Sequence, residues 1–89
     1  MDEIDFYKLI KLQREGALII DVRSPQEYTE NHIEGAINIP VYLILKRINE
    51  IGNVNRKIIV YCSSGMRSKK AKKILNQNGF MYVYNLNRY

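Results

Sequence analysis

The chain of 89 residues holds one cysteine, Cys62, in the segment Val60-Tyr61-Cys62-Ser63-Ser64-Gly65-Met66-Arg67-Ser68. The reactive form of cysteine is the thiolate, which forms where positive charge or hydrogen-bond donors stabilise it. An apolar run, Ile58 to Tyr61, ends at the thiol, and a helix-like stretch begins near Arg67. A sulfur placed there faces the free N–H groups and the positive dipole end of a helix. Arg67 adds a fixed positive charge. Four residues lie between Cys62 and Arg67, three of them small. Such a loop curls into a nest of inward-pointing N–H groups that holds an anion or a negatively charged sulfur. Gly65 gives the loop access to positive φ. Ser63, Ser64 and Ser68 offer hydroxyl donors, and Met66 is expected on the rim. A buried structural cysteine is the alternative, but it is ordinarily followed by apolar residues, and here Ser-Ser-Gly follows.

The elements that position this loop follow from pattern. Asp5 caps a helix with Phe6, Leu9, Ile10 and Leu12 on its apolar face, stopped at Glu15-Gly16. Ala17 to Val22 reads as a strand buried on both faces. Ser24-Pro25-Gln26-Glu27 opens a short helix with a serine cap, proline in the first turn and a capping box. Gly35 to Pro40 reads as a brief strand. Val41, Ile44, Leu45, Ile48 and Ile51 fall at helical spacing, and Gly52-Asn53 ends that helix. Lys57 to Tyr61 is a strand, Ser68 to Asn78 a helix and Met81 to Tyr84 a last strand. Strands alternating with helices predict one α/β domain over 1–89, a mainly parallel sheet with helices on both faces. Ligands bind such sheets at the carboxyl ends of strands. Cys62 and the segment Asp21-Val22-Arg23 both stand at such ends.

The remaining chemistry is thinner. Asp21 and Arg23 either shape the pocket or form a structural salt bridge, for example Arg23 with Glu27, and the salt bridge is the simpler reading. His32, the single histidine, reads as a hydrogen-bonded loop residue. One histidine and one cysteine are too few soft ligands for a metal cluster, and no cofactor is implied. The net charge is +5, concentrated near Lys69, Lys70, Lys72 and Lys73. That cluster suits a solvated helix face, with steering of small anions or of an acidic protein as the functional reading. The seven tyrosines are too scattered for a nucleic-acid stacking platform. No apolar run approaches the roughly 18 residues of a membrane span. The acidic first residues do not read as an export signal, and a lone thiol suits the cytoplasm.

Three segments in order carry a resemblance. Cys62 to Ser68 resembles the active-site loop of rhodanese-type sulfurtransferases. Ile20-Asp21-Val22-Arg23 with Glu27-Tyr28, and His32 to Pro40, are similar to two upstream signatures of that family. The resemblance implies a single rhodanese domain in which the Cys62 thiolate takes sulfane sulfur from thiosulfate or another donor as a persulfide. A thiol or cyanide then accepts it, with ping-pong kinetics. Ser63, Ser64, Gly65, Met66, Arg67 and Ser68 would bind the donor. Arg67 would either orient the anion or lock the loop internally. An alternative is a sulfur carrier or interaction module loaded by a protein persulfide in a sulfur relay. Related cysteine phosphatases and arsenate reductases have five residues between Cys and Arg, so the shorter loop here fits sulfur better than phosphate. The family also continues past its last strand with Gly-Gly and a closing helix. Here Tyr84-Asn85-Leu86-Asn87-Arg88-Tyr89 stands instead, so the surface beneath is expected to be exposed, covered by Tyr89 or buried in a dimer.

Overall fold

The structure, a computed structural model, describes residues 3–86 and 89. Met1, Asp2, Asn87 and Arg88, which the sequence reading takes as part of the N-terminal segment and the tail, lie outside the described residues. The elements in chain order are β1 (Glu3–Ile4), α1 (Phe6–Arg14), β2 (Leu18–Asp21), α2 (Pro25–Glu30), β3 (Ile37–Asn38), β4 (Ile58–Tyr61), α3 (Met66–Gln77) and β5 (Val83–Leu86). They build one sheet in the order β1-β5-β4-β2-β3. Every neighbouring pair is parallel. The α/β class with a parallel sheet is as the sequence predicts.

Alternation along the central strands divides the core. Ile20, Ile58, Val60 and Cys62 face one side, where they pack with Ala71 and Leu75 of α3. Ile19, Ile59 and Tyr61 face the other, against Leu9 and Leu12 of α1 and Tyr28 of α2. Both β2 and β4 are thus covered on both faces, as their unbroken apolar runs require. The central residues Ile20, Ile58, Ile59 and Val60 have no exposed surface. Burying side chains of this size contributes about 1.5–3 kcal/mol each before the entropy of ordering the chain is counted.

The caps hold the helices where the sequence places them. The Asp5 carboxylate accepts from the Lys8 N–H at 2.9 Å, and Gly16 leaves α1 with φ +96°. In α2 the Ser24 hydroxyl accepts from the Glu27 N–H at 3.2 Å while Glu27 accepts from the Ser24 N–H at 3.0 Å.

Several boundaries differ from expectation. The helix expected over Val41 to Ile51 is two 3-10 turns, Val41–Leu43 and Ile48–Glu50, without side-chain caps. Its buried residues, Ile44 and Ile51, follow Val41 and Ile48 by three, the spacing that a 3-10 turn eclipses. Leu45, expected inward, is exposed. Phe6 is exposed too, so the apolar face of α1 rests on Leu9 and Leu12. The last strand runs Val83–Leu86 rather than from Met81, because β5 is flanked by two strands and its polar Asn85 is buried there. Its Nδ2 donates to the Glu3 carboxylate of β1, a strand too short to show in a periodicity. Of the three fates expected for the surface after β5, Tyr89 packs on Tyr61, with ring centroids 4.9 Å apart.

Candidate active site

The carboxyl ends of β2 and β4 lie side by side, Asp21 opposite Tyr61 in register, and Val22 N–H donates to the Tyr61 carbonyl at 3.0 Å. The chain leaves β4 at Cys62, turns through Ser63 and Ser64, and enters α3 at Gly65. Gly65 is the N-cap residue, at φ +94° and ψ −14°, and makes no side-chain cap. The sulfur of Cys62 takes that role. Its Sγ accepts from the Gly65 N–H at 3.1 Å and from the Ser68 N–H at 3.3 Å. The Ser68 hydroxyl lies 3.4 Å away and donates in turn to the Gly65 carbonyl at 3.1 Å. A helix otherwise left with unpaired N–H groups at its start is therefore closed by a sulfur atom. Helix α3 begins at Met66, two residues before the expected Ser68, for this reason.

Cys62 and Ser68 have no exposed surface, and Gly65 is buried, whereas Ser63, Ser64 and Met66 are exposed. Burial opposes ionisation of the thiol. The hydrogen bonds with the Ser68 side chain and from the N–H groups of Ser68, Gly65 and Arg67 outweigh it and hold the Cys62 pKa below the ordinary thiol value of 9.0. The N-terminal end of α3 adds its dipole in the same direction.

Arg67 points away from the sulfur's donors and into α2. Its Nη1 donates to Glu27 Oε1 at 2.7 Å and its Nη2 to Glu27 Oε2 at 3.0 Å, and Nη2 also reaches the Ser63 hydroxyl at 3.2 Å. The guanidinium lowers the Glu27 pKa to about 2, helped by the Ser24 N–H. Of the two roles open to Arg67 from sequence, this geometry matches the one that locks the loop.

The expected Arg23–Glu27 pair does not form. Arg23 turns back to Asp21, with Nη2 to Oδ2 at 2.7 Å and Nε to both carboxylate oxygens at 3.1 Å. It also donates to the Asn31 carbonyl at 2.7 Å and lies over the rings of Tyr61 and Tyr89. Asp21 is fully buried, so its charge must be met by the nearest cation, and Glu27 is left for Arg67. No hydrogen bond joins the Asp21–Arg23 pair to the sulfur among the described residues. Through the Arg23 bond to the Asn31 carbonyl, the pair ties β2 to the segment after α2.

Sequence reasoning missed Glu27 as a part of this site. Its signal was the capping box, which fixes Glu27 at the start of α2 beside the end of β2. His32 behaves as expected for a loop histidine: its Nδ1 donates to the Tyr28 carbonyl at 2.8 Å and its ring stacks on Tyr28. Among the described residues no cluster of histidine, cysteine and carboxylates could hold a metal.

A rhodanese-like domain profile matches residues 5–88. Thiosulfate sulfurtransferase PspE of Escherichia coli K12 is 42% identical over 67 residues, which are 74% of this chain and 64% of that protein. A sulfurtransferase of Allochromatium vinosum is 36% identical over 88 residues, 97% of this chain and 81% of its own length. The chain spans between 38% and 64% of the length of the first three curated relatives it matches. Among solved structures, human single-domain sulfurtransferase TSTD1 superposes with a TM-score of 0.88, covering 100% of this chain and 92% of that one, at 22% identity, a likeness of fold alone. A capped sulfur at the end of β4, a five-stranded parallel sheet and a profile match over nearly every residue agree, and the chain belongs to the rhodanese-like domain family.

Proposed function

We propose that the protein is a sulfurtransferase that carries sulfane sulfur on Cys62. The observation that carries this reading is the pair of N–H groups, those of Gly65 and Ser68, that meet Sγ within 3.3 Å. They favour the thiolate before reaction and an anionic persulfide after it. With thiosulfate, the thiolate attacks the outer sulfur, the bond between the two thiosulfate sulfurs breaks, and sulfite departs with that electron pair. Cyanide or an external thiolate then attacks the terminal sulfur of the Cys62 persulfide. The sulfur–sulfur bond breaks, and Cys62 returns as thiolate. Ser63, Ser64, Gly65, Met66 and Ser68 form the cradle for the donor anion, and Arg67 keeps it in shape through Glu27.

Cys62 has no surface in contact with solvent at rest, so the loop parts around it for the donor to reach the sulfur. The loop length argues against phosphate chemistry, since four residues lie between Cys62 and Arg67, one fewer than in the related cysteine phosphatases. PspE, a relative named for thiosulfate, supports that donor class. Among the described residues no helix is long and apolar enough to cross a membrane. We place the reaction in the reducing cytoplasm because a lone thiol stays free there.

Intact mass tests the proposal. Wild-type protein exposed to thiosulfate gains one sulfur atom, which cyanide or dithiothreitol removes, and Cys62→Ser gains nothing. Absence of any gain in wild type across thiosulfate and small persulfide donors overturns the reading.

A further inference from the structure

Helix α3 holds a second feature. Lys69, Lys70, Lys72 and Lys73 follow the reactive loop within two turns, and no acidic residue occurs in the helix. Lys69, Lys70 and Lys73 are exposed. No carboxylate stands within ion-pair distance of these three among the described residues. Lys72 is engaged: with the Asn76 amide turned to donate to the Phe80 carbonyl, Asn76 accepts from Lys72 Nζ at 3.0 Å. The arrangement works against the helix. Lys69 lies three and four positions from Lys72 and Lys73, so like charges share a face. Lys69 and Lys70 also sit in the half of the helix whose dipole end is positive. Folding does not account for such a stripe.

The stripe is shaped as well as charged. Lys69, Lys72, Lys73, Asn76 and Gln77 line an open concavity of about 340 Å³. At the head of the helix Met66 is 78% exposed, beside the loop that holds the sulfur. From Met66 to Lys73 the helix advances about 10 Å, so Lys73 is beyond the reach of a small anion seated at Cys62. It is within the footprint of a macromolecule whose reactive group meets Cys62. The helix carries no aromatic side chain on which a base could stack, whereas an exposed methionine next to a cationic stripe suits an acidic protein surface.

We propose that the exposed lysine face of α3, with Met66 at its head, docks an acidic protein that exchanges sulfur with Cys62. This docking rests on the sulfurtransferase reading only in its last step, in which a partner thiolate attacks the terminal persulfide sulfur and leaves as a persulfide while Cys62 returns as thiolate. The partner's carboxylates lie along α3 and its reacting cysteine lies at the Met66 end.

Two variants with the same charge change test it, Lys69→Glu/Lys73→Glu on α3 and Lys8→Glu/Lys11→Glu on α1, which covers the opposite face of the sheet. The probe is a fluorescent peptide rich in Asp and Glu, with serine where a reacting cysteine would stand, titrated by anisotropy beside a lysine-rich peptide and a short single-stranded RNA. The expected result is binding of the acidic peptide that weakens with salt, falls about tenfold or more in the α3 variant and stays within about twofold in the α1 variant. Equal losses in both variants, no binding of the acidic peptide, or binding of RNA in its place overturns the proposal. No persulfide is needed for this measurement, so its failure is distinct from failure of Cys62 to gain sulfur. With loaded protein, transfer to the cysteine form of the acidic peptide falls about tenfold in the α3 variant while transfer to cyanide stays within about twofold. Equal losses to the two acceptors would make the stripe a general steering field and not a docking face.

Discussion

Glu27 grips Arg67 with both carboxylate oxygens, at 2.7 and 3.0 Å, across forty positions of sequence. The same carboxylate closes the capping box of α2 through the Ser24 N–H and hydroxyl, each at 3.0 Å. One side chain thus starts one helix and fixes the first turn of another. Since Arg67 also holds the Ser63 hydroxyl, the shape of the loop around Cys62 depends on a residue outside it.

Replacing Glu27 with Gln leaves one acceptor and sets an amide N–H₂ against the guanidinium. The pair is part-exposed, so the stability loss is expected to be only about 1 kcal/mol in urea unfolding. Sulfur loading of Cys62, followed by mass, is expected to slow about tenfold, because the loop loses its outer clamp. A stability loss without slower loading would remove Glu27 from the site. The pH dependence has a definite sign. The folded pKa of Glu27, about 2, lies below its ordinary 4.5, so its contribution is complete above pH 4.5 and fades as pH falls towards 2. The stabilities of wild type and Glu27→Gln therefore converge in strong acid.

Ser68→Ala tests the sulfur's environment. Burial alone raises a thiol pKa, and the Ser68 hydroxyl heads the interactions that reverse this in Cys62. In wild type, the rate of alkylation by iodoacetamide is expected to rise with pH and level off with a midpoint below 9.0. Loss of the hydroxyl is expected to move that midpoint up, though not to the value of a buried thiol without donors, since the backbone donors remain. An unmoved midpoint would mean that the N–H groups alone set the thiolate.

What was legible in the sequence follows from how local the physics is. The central strands declared themselves because both faces are buried, which leaves an unbroken apolar run. The caps at Asp5 and Ser24 declared themselves because capping is a contact between residues three apart. The loop from Cys62 to Ser68 was legible for a similar reason, its donors all lying within six residues of the sulfur. The partner of Glu27 was not, because the nearer cation, Arg23, was already required by buried Asp21, and only the topology brings Arg67 alongside. The segment Val41 to Ile51 misled because intervals of three and four residues alternate there, a pattern that an α-helix and a pair of 3-10 turns share. Strand β1 escaped because its two residues are fixed by β5 and not by their own pattern.

Gly65→Ala is expected to fail by geometry. Residue 65 holds φ at +94°, where a Cβ meets the backbone of its own residue at a cost of about 1–2 kcal/mol. Relief requires the loop to turn, which takes the Gly65 N–H off Sγ. Lower stability by thermal unfolding should therefore accompany a raised thiol pKa, and the two should change together across substitutions at this position. A stable Gly65→Ala protein with unaltered thiol titration would show that the loop tolerates another conformation.

Asp21→Asn separates a structural role from one in the pocket. Asp21 is fully buried and Arg23 nearly so, and four hydrogen bonds join them, one of them from the Arg23 N–H at 2.9 Å. Removing the carboxylate strands a buried guanidinium over the rings of Tyr61 and Tyr89, and such a loss costs about 3–5 kcal/mol. For a domain of this size that is a large part of the total stability, and the melting temperature should fall by more than about 10 °C. Asp21→Leu/Arg23→Met, which removes both charges, is expected to recover most of the loss, since well-packed apolar residues replace a buried pair at little cost. At a temperature where each variant is folded, Cys62 is expected to take up sulfur at close to the wild-type rate, because neither residue bonds to Sγ. Slow loading in the stable double variant would instead place the Asp21–Arg23 pair in the pocket that selects the donor.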